Sequence, residues 1–178
     1  MLSGVVAGLD TEPDLAVVRL SGELRMGTLP DVRRVLGKLL ATHGRVLVDL
    51  SRFRVAWRPA LQVFPSVFAD AGGWPSVHLV LFGADPAMHH ELHALRVPES
   101  VPLVADEATA QRRLEYRPDH VSRRRDLPAD AHAPRAARAF VREACADWNV
   151  PDVADEAALV VTELVSNAVE HAGTSASV

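Results

Sequence analysis

Glu163, Asn167 and His171 stand four residues apart near the C-terminal end of the chain. At 3.6 residues per turn this interval lays a carboxylate, a carboxamide and an imidazole along one side of a helix. Val161, Leu164, Val165, Ala168, Val169 and Ala172 fall on the other side. Two readings are open. The stripe has the composition of a solvated helix face. It also suits a nucleotide site, because a carboxamide oxygen is a hard ligand for Mg²⁺, which keeps several waters and takes one or two protein oxygens plus phosphates. A carboxylate one turn away can orient or deprotonate an attacking hydroxyl or water.

Other residues with reactive side chains fall short of a site. His89 and His93 in Met88-His-His-Glu-Leu-His93 are spaced to meet one ion, but Ala94 stands where a zincin helix needs its second histidine and no third ligand is evident. The chain has no GxxxxGK[ST] or GxGxxG loop and no G-x-S-x-G elbow. Cys145, the single cysteine, excludes an internal disulfide and reads as a small buried apolar residue. Aromatic residues at 5% leave little material for stacking bases.

The elements that would carry these residues alternate. Val5 to Leu9 and Leu15 to Leu20 are short β-rich runs joined by turn chemistry, and they read as a hairpin. A helix follows from about Pro30 to Ala41, closed by His43-Gly44. Arg45–Leu50 is a continuous apolar run, expected as a central strand buried on both faces. A helix over Pro59–Ala71, with a kink or break expected at Pro65, leads to a buried strand at His78–Phe82. A helix over Pro86–Leu95, a strand over Val101–Val104 and a helix over Glu107–Leu114 complete the series. Strands alternating with helices predict an α/β sheet with parallel strands and covering helices.

This order, with LAVVRLSGEL at Leu15–Leu24 and RVLVDLS at Arg45–Ser51, resembles the STAS domain of anti-sigma-factor antagonists, from about Val5 to Tyr116. Such antagonists carry Asp-Ser-Ser-Gly-Leu at the start of the helix after Asp-Leu-Ser, and a serine there accepts phosphate from a kinase. Aligned on Asp49-Leu50-Ser51 and Leu61, this chain has Trp57-Arg58-Pro59-Ala60-Leu61. Arg58 takes the acceptor position, and its fixed positive charge cannot be phosphorylated by serine chemistry. The phospho-switch is expected to be absent. Ser51 and Ser66 are nearby hydroxyls that the alignment does not favour.

Beyond Tyr116, Pro118 and Arg123-Arg-Arg125 mark a junction, with His120 to Asp126 expected as an edge strand with solvated arginines. A helix over Ala131–Trp148, with Ala137, Phe140, Val141 and Ala144 inward, is followed by the Glu163 helix, capped by Asp152 or Asp155. ARAFVREACADWNVPDVADEAALVVT and ELVSNAVEHA together resemble the start of a GHKL-type ATPase domain of the anti-sigma-factor serine kinases of actinobacterial regulators, over about Ala131 to Thr174. The resemblance implies Glu163 as the catalytic carboxylate, Asn167 as the Mg²⁺ ligand and His171 beside the nucleotide. That family continues into an Asp-x-Gly-x-Gly loop, a second Gly-rich loop and a lid, and the sequence stops at Val178 before them. ATP and Mg²⁺ are therefore expected only in a complete parent, and the chain itself is expected to be inactive.

The expected organisation is a STAS-like domain over residues 1–116, a junction over 117–130 and the start of an ATPase domain over 131–178. It implies a partner-switching transcription regulator. Its expected partners are a sigma factor, a STAS-type antagonist or both, and a homodimer is a further expectation. A non-enzymatic interaction module is the alternative. A net charge of −4 supplies no basic field for nucleic acid or acidic lipid. Three arginines without interleaved aromatics do not change that. With no basic n-region at the N-terminus and no apolar run near the roughly 18 residues of a membrane span, the chain is expected in the cytoplasm.

Overall fold

Leu15–Leu24 alternates between two buried faces, and it sets the layering of everything N-terminal to Ser122. A computed structural model describes residues 5–115, 117–172 and 175–178. The chain divides into two compact units, Met1–Ser122 and Arg123–Val178.

The first unit is built on a five-stranded mixed sheet in the order β1-β2-β3-β4-β5. The strands are β1 (Val5–Glu12), β2 (Leu15–Leu24), β3 (Arg45–Val55), β4 (His78–Phe82) and β5 (Leu103–Val104). The β1–β2 hairpin is antiparallel, and β2 through β5 are parallel. Parallel neighbours need crossovers, and helices α1 (Leu29–His43), α2 (Val63–Asp70), α3 (Pro86–Ala94) and α4 (Val97–Ser100) supply them. Their apolar sides share one core with Val18, Leu20, Val46, Val48, Leu79 and Leu81. The opposite face carries Val17, Leu47, Val80 and Phe82, covered by Ala110 of α5 (Glu107–Arg113) and by Leu114. β3 is thus buried on both faces along Val46–Val48, as its unbroken apolar run predicts.

Helix boundaries follow local chemistry. Pro30 occupies the first turn of α1, where its missing N–H costs nothing, and Gly44 ends the helix at φ 72°, with its N–H bonded to the Leu40 carbonyl. The helix expected over Pro59–Ala71 is two pieces: a 3₁₀ turn at Arg58–Gln62, then α2. Pro65 makes no kink, because α2 begins at Val63 and the proline sits in its first turn. Asp106 caps α5 by accepting a 2.8 Å hydrogen bond from the Thr109 N–H, which holds its carboxyl below the ordinary 3.8. At the first position of β4, burial pushes the half-buried His78 imidazole below its ordinary 6.5, against the opposing bond at the Leu114 backbone.

The second unit pairs α6 (Ala133–Asp147) with α7 (Ala154–Asn167) and a short antiparallel ribbon of β6 (Asp126–Leu127) and β7 (Ala176–Ser177). Arg125 and Val178 extend the ribbon by exchanging two backbone bonds of 2.7 and 3.0 Å. Leu127, Ala133, Ala137 and Val165 form its small core. Phe140, Ala144 and Cys145 are buried along α6, as expected. The strand expected over His120–Asp126 is confined to Asp126–Leu127. Arg123 explains part of this, because its side chain is turned inward rather than solvated. It is 6% exposed, pairs with Asp147 at 2.6 Å and lies 5.9 Å from the Trp148 ring. Neither Asp152 nor Asp155 caps α7. Val153 is the N-cap residue, and Asp155 pairs with Arg142 at 2.8 Å.

Among the described residues, no helix is long and apolar enough to cross a membrane.

Candidate functional site

Arg58 opens the 3₁₀ turn that follows β3, and its guanidinium pairs with Glu91 on α3. Two further bonds tie the same corner to that helix. Arg54 reaches Asp85 at 3.3 Å, and Gln62 Nε2 donates to the Leu95 carbonyl at 2.8 Å. Asp85 is also the N-cap of α3, accepting from the Met88 N–H at 2.8 Å. Arg58 is thus a cation anchored to the neighbouring helix. Glu91 was not singled out in the sequence. Asp85 was findable there, since aspartate directly before a proline at a helix start is a cap signature.

Mid-β3 and the end of β4 are closely set. Asp49 Oδ1 accepts from the Ser51 N–H at 2.8 Å. Gly83, at φ 72°, lies so near that a Cβ there would fall 2.9 Å from the same Oδ1. Ser51 is exposed at the surface of β3, and Ser66 is half-buried within α2, so the two hydroxyls lie on different elements. The loops after β2 and β3 are joined by the Ala56 N–H bonded to the Leu24 carbonyl at 3.0 Å. They expose Met26 and Trp57, and Arg25 and Arg52 are exposed nearby in sequence. Exposed apolar side chains with arginines suit docking to another protein rather than bond-making chemistry.

The second candidate lies on the other unit. Glu163 and Asn167 are both exposed in the last turns of α7, one helical turn apart, as their spacing predicts. His171 is exposed too, but the helix continues as a π turn over Ala168–Ala172. The i, i+8 register of a straight α-helix is therefore altered before His171. No side-chain hydrogen bond or ion pair to another described residue holds any of the three.

The apolar side of this helix departs from expectation. Val165 is buried, and Val161 and Val169 pack beside it. Leu164 is 63% exposed and points away from that core. Thr162 faces α6. It accepts from Arg138 Nε at 3.1 Å and donates to the Ala158 carbonyl.

The donors fit Mg²⁺ in one limited sense. Asn167 and Glu163 offer one carboxamide and one carboxylate oxygen set from one side, which leaves the remaining positions to water and phosphate. Among the described residues, no group of three or more His, Cys, Asp or Glu side chains could hold a metal ion. His89 and His93 stack with ring centroids 4.5 Å apart and recruit no third ligand.

No protein-family model matches the sequence. No curated protein matches it either. Solved structures do. One is an anti-sigma factor antagonist from Mycobacterium paratuberculosis, at TM-score 0.55 and 18% identity, covering 63% of this chain and 95% of that one. The anti-sigma factor antagonist SpoIIAA in its unphosphorylated form matches at TM-score 0.50 and 12% identity, over 60% of this chain and 95% of its own. The protein TM1081 matches at TM-score 0.51 and 11% identity, over 66% and 90%. At these identities the likeness is one of fold: a STAS-like α/β arrangement.

Proposed function

We propose that the chain is a partner-switching regulator whose STAS-like unit docks a partner without a phosphorylation switch. The observation that supports this reading is the pairing of Arg58 with Glu91, read with the sequence alignment that sets Arg58 at the acceptor position. The shared fold supports the partner class, an anti-sigma factor of the serine-kinase type. Arg58 has no hydroxyl to phosphorylate, so a kinase that binds this unit would have no substrate there. The exposed Met26 and Trp57 with neighbouring arginines supply contact area that does not depend on a phosphate.

The test is intact-mass measurement after incubation with an anti-sigma-factor serine kinase and Mg·ATP. The wild-type chain is expected to gain no phosphate, and Arg58→Ser is expected to become an acceptor. Phosphate on Ser51 or Ser66 of the wild type contradicts the reading.

On the second unit, the same proposal gives Asn167 the role of Mg²⁺ ligand and Glu163 that of the carboxylate that orients or deprotonates a serine hydroxyl in a complete ATPase domain, with His171 beside the nucleotide. Bound Mg·ATP would supply the transferable phosphoryl group. The protein residues would position and stabilise charge. A second reading, a module that binds no nucleotide, is favoured by one observation: Glu163 and Asn167 are solvent-facing, without a described partner to orient them. Calorimetric titration of Mg·ATP into a complete parent protein separates the two. Binding that Asn167→Ala abolishes supports the nucleotide site, and heat unchanged by that substitution supports the module.

A further inference from the structure

We propose that Met26 is an oxidation switch for partner docking, a role that rests on the docking assigned to the exposed Met26 and Trp57: conversion of its thioether to the sulfoxide releases the partner. The side chain is held out by a fixed turn. Arg25-Met26-Gly27-Thr28 connects β2 to α1, and the Thr28 N–H donates to the Arg25 carbonyl at 3.0 Å. Thr28 is 2% exposed, and its hydroxyl accepts from the Arg25 N–H at 3.0 Å and donates to the Glu23 carbonyl at 3.0 Å. A buried hydroxyl satisfied as both donor and acceptor fixes the turn around it. Met26 stands in the middle of that turn, 68% exposed. The bond from the Ala56 N–H to the Leu24 carbonyl holds the loop of Trp57 alongside.

Burial makes the site selective. Met88 and Cys145 are each only 6% exposed, and Met1 lies outside the described residues. Trp57 carries no sulfur. Hydrogen peroxide therefore reaches the Met26 thioether ahead of the buried sulfurs. The sulfur attacks one peroxide oxygen, an S–O bond forms and the O–O bond breaks. The proton on the transferred oxygen passes to the leaving hydroxide, which departs as water. Sulfur gives up two electrons and the peroxide takes them. The product replaces a flexible apolar tip with a strong hydrogen-bond acceptor. Inside a contact, that acceptor loses its water without gaining a donor, so the contact weakens. Methionine sulfoxide reductase reverses the change. A reversible switch is thus available in a chain where Arg58 offers no hydroxyl at the aligned acceptor position.

The test uses the full chain and an anti-sigma-factor serine kinase without nucleotide, so that phosphorylation plays no part. The chain is treated with hydrogen peroxide, and peptide mapping by mass spectrometry locates the added oxygen. Met26 is expected to oxidise at least about tenfold faster than Met88. The affinity for the kinase is then measured before and after treatment. In the wild type it is expected to fall at least about tenfold and to recover when methionine sulfoxide reductase restores the thioether. In Met26→Leu, whatever its starting affinity, peroxide is expected to change nothing. Oxygen on Met88 or Cys145 ahead of Met26 overturns the proposal, as does an affinity unchanged by complete oxidation of Met26. So does a loss that persists in Met26→Leu, or a loss of helix by circular dichroism, which would make the oxidation a structural lesion. An untreated chain that does not bind the kinase at all would instead remove the docking role, and the switch with it.

Discussion

Arg58 and Glu91 are joined across an open corner, with the arginine side chain 70% exposed and the glutamate 19%. Exposed pairs of this kind contribute little, because water screens the attraction and two long side chains must be held still. Arg58→Ser is therefore expected to lower stability by less than about 1 kcal/mol in denaturant unfolding. This makes it a clean probe of the switch position, since a gain of phosphate acceptance would arise without unfolding. The same scale shows what single letters conceal. Arg58 was singled out in the sequence, but its partner was not. Glu91 lies 33 positions away, and only the fold brings the two together. Leu164 is a comparable case, because its position on a helical wheel says which side it shares but not whether anything covers that side.

At the scale of elements, α3 depends on its first turn. Asp85 caps it and also receives Arg54. Asp85→Ala is expected to cost about 1 kcal/mol, measured as a shift of the denaturant midpoint at unchanged slope. A neutral substitution would mean that the cap is replaced by water without loss. Strands β3 and β4 were legible because a continuous apolar run bounded by turns leaves few alternatives for a central parallel strand. The 3₁₀ turn at Arg58–Gln62 was not, since Pro59 and Pro65 are compatible with one helix, with two, or with a kink. The π turn at Ala168–Ala172 leaves no signature in apolar spacing, and the short ribbon of the second unit pairs residues some fifty positions apart. Arg123 was misjudged for a related reason. A run of three arginines reads as solvated, whereas Asp147 and Trp148 draw the first of them inward.

At the scale of the whole molecule, protonation links stability to pH through His78. Its folded value lies below the ordinary 6.5, chiefly because burial disfavours the imidazolium. The unfolded chain therefore takes up the proton first. The stability associated with the neutral ring is complete above about pH 6.5 and is lost as pH falls through the lower folded value. Unfolding free energies measured on either side of pH 6 are expected to decline toward acid, and His78→Phe to flatten that part of the profile. A profile unchanged by the substitution would assign the slope to other groups.

The central claim is a STAS-like unit that engages its partner with no phosphorylation switch, and its most direct test is an affinity. Binding of the purified chain to an anti-sigma-factor serine kinase would be measured with and without Mg·ATP, alongside Arg58→Ser. The account predicts an affinity for the wild type that ATP does not erode over time, and a progressive loss for Arg58→Ser as it is phosphorylated. ATP-dependent release of the wild-type chain, with phosphate recovered on Ser51 or Ser66, would contradict it.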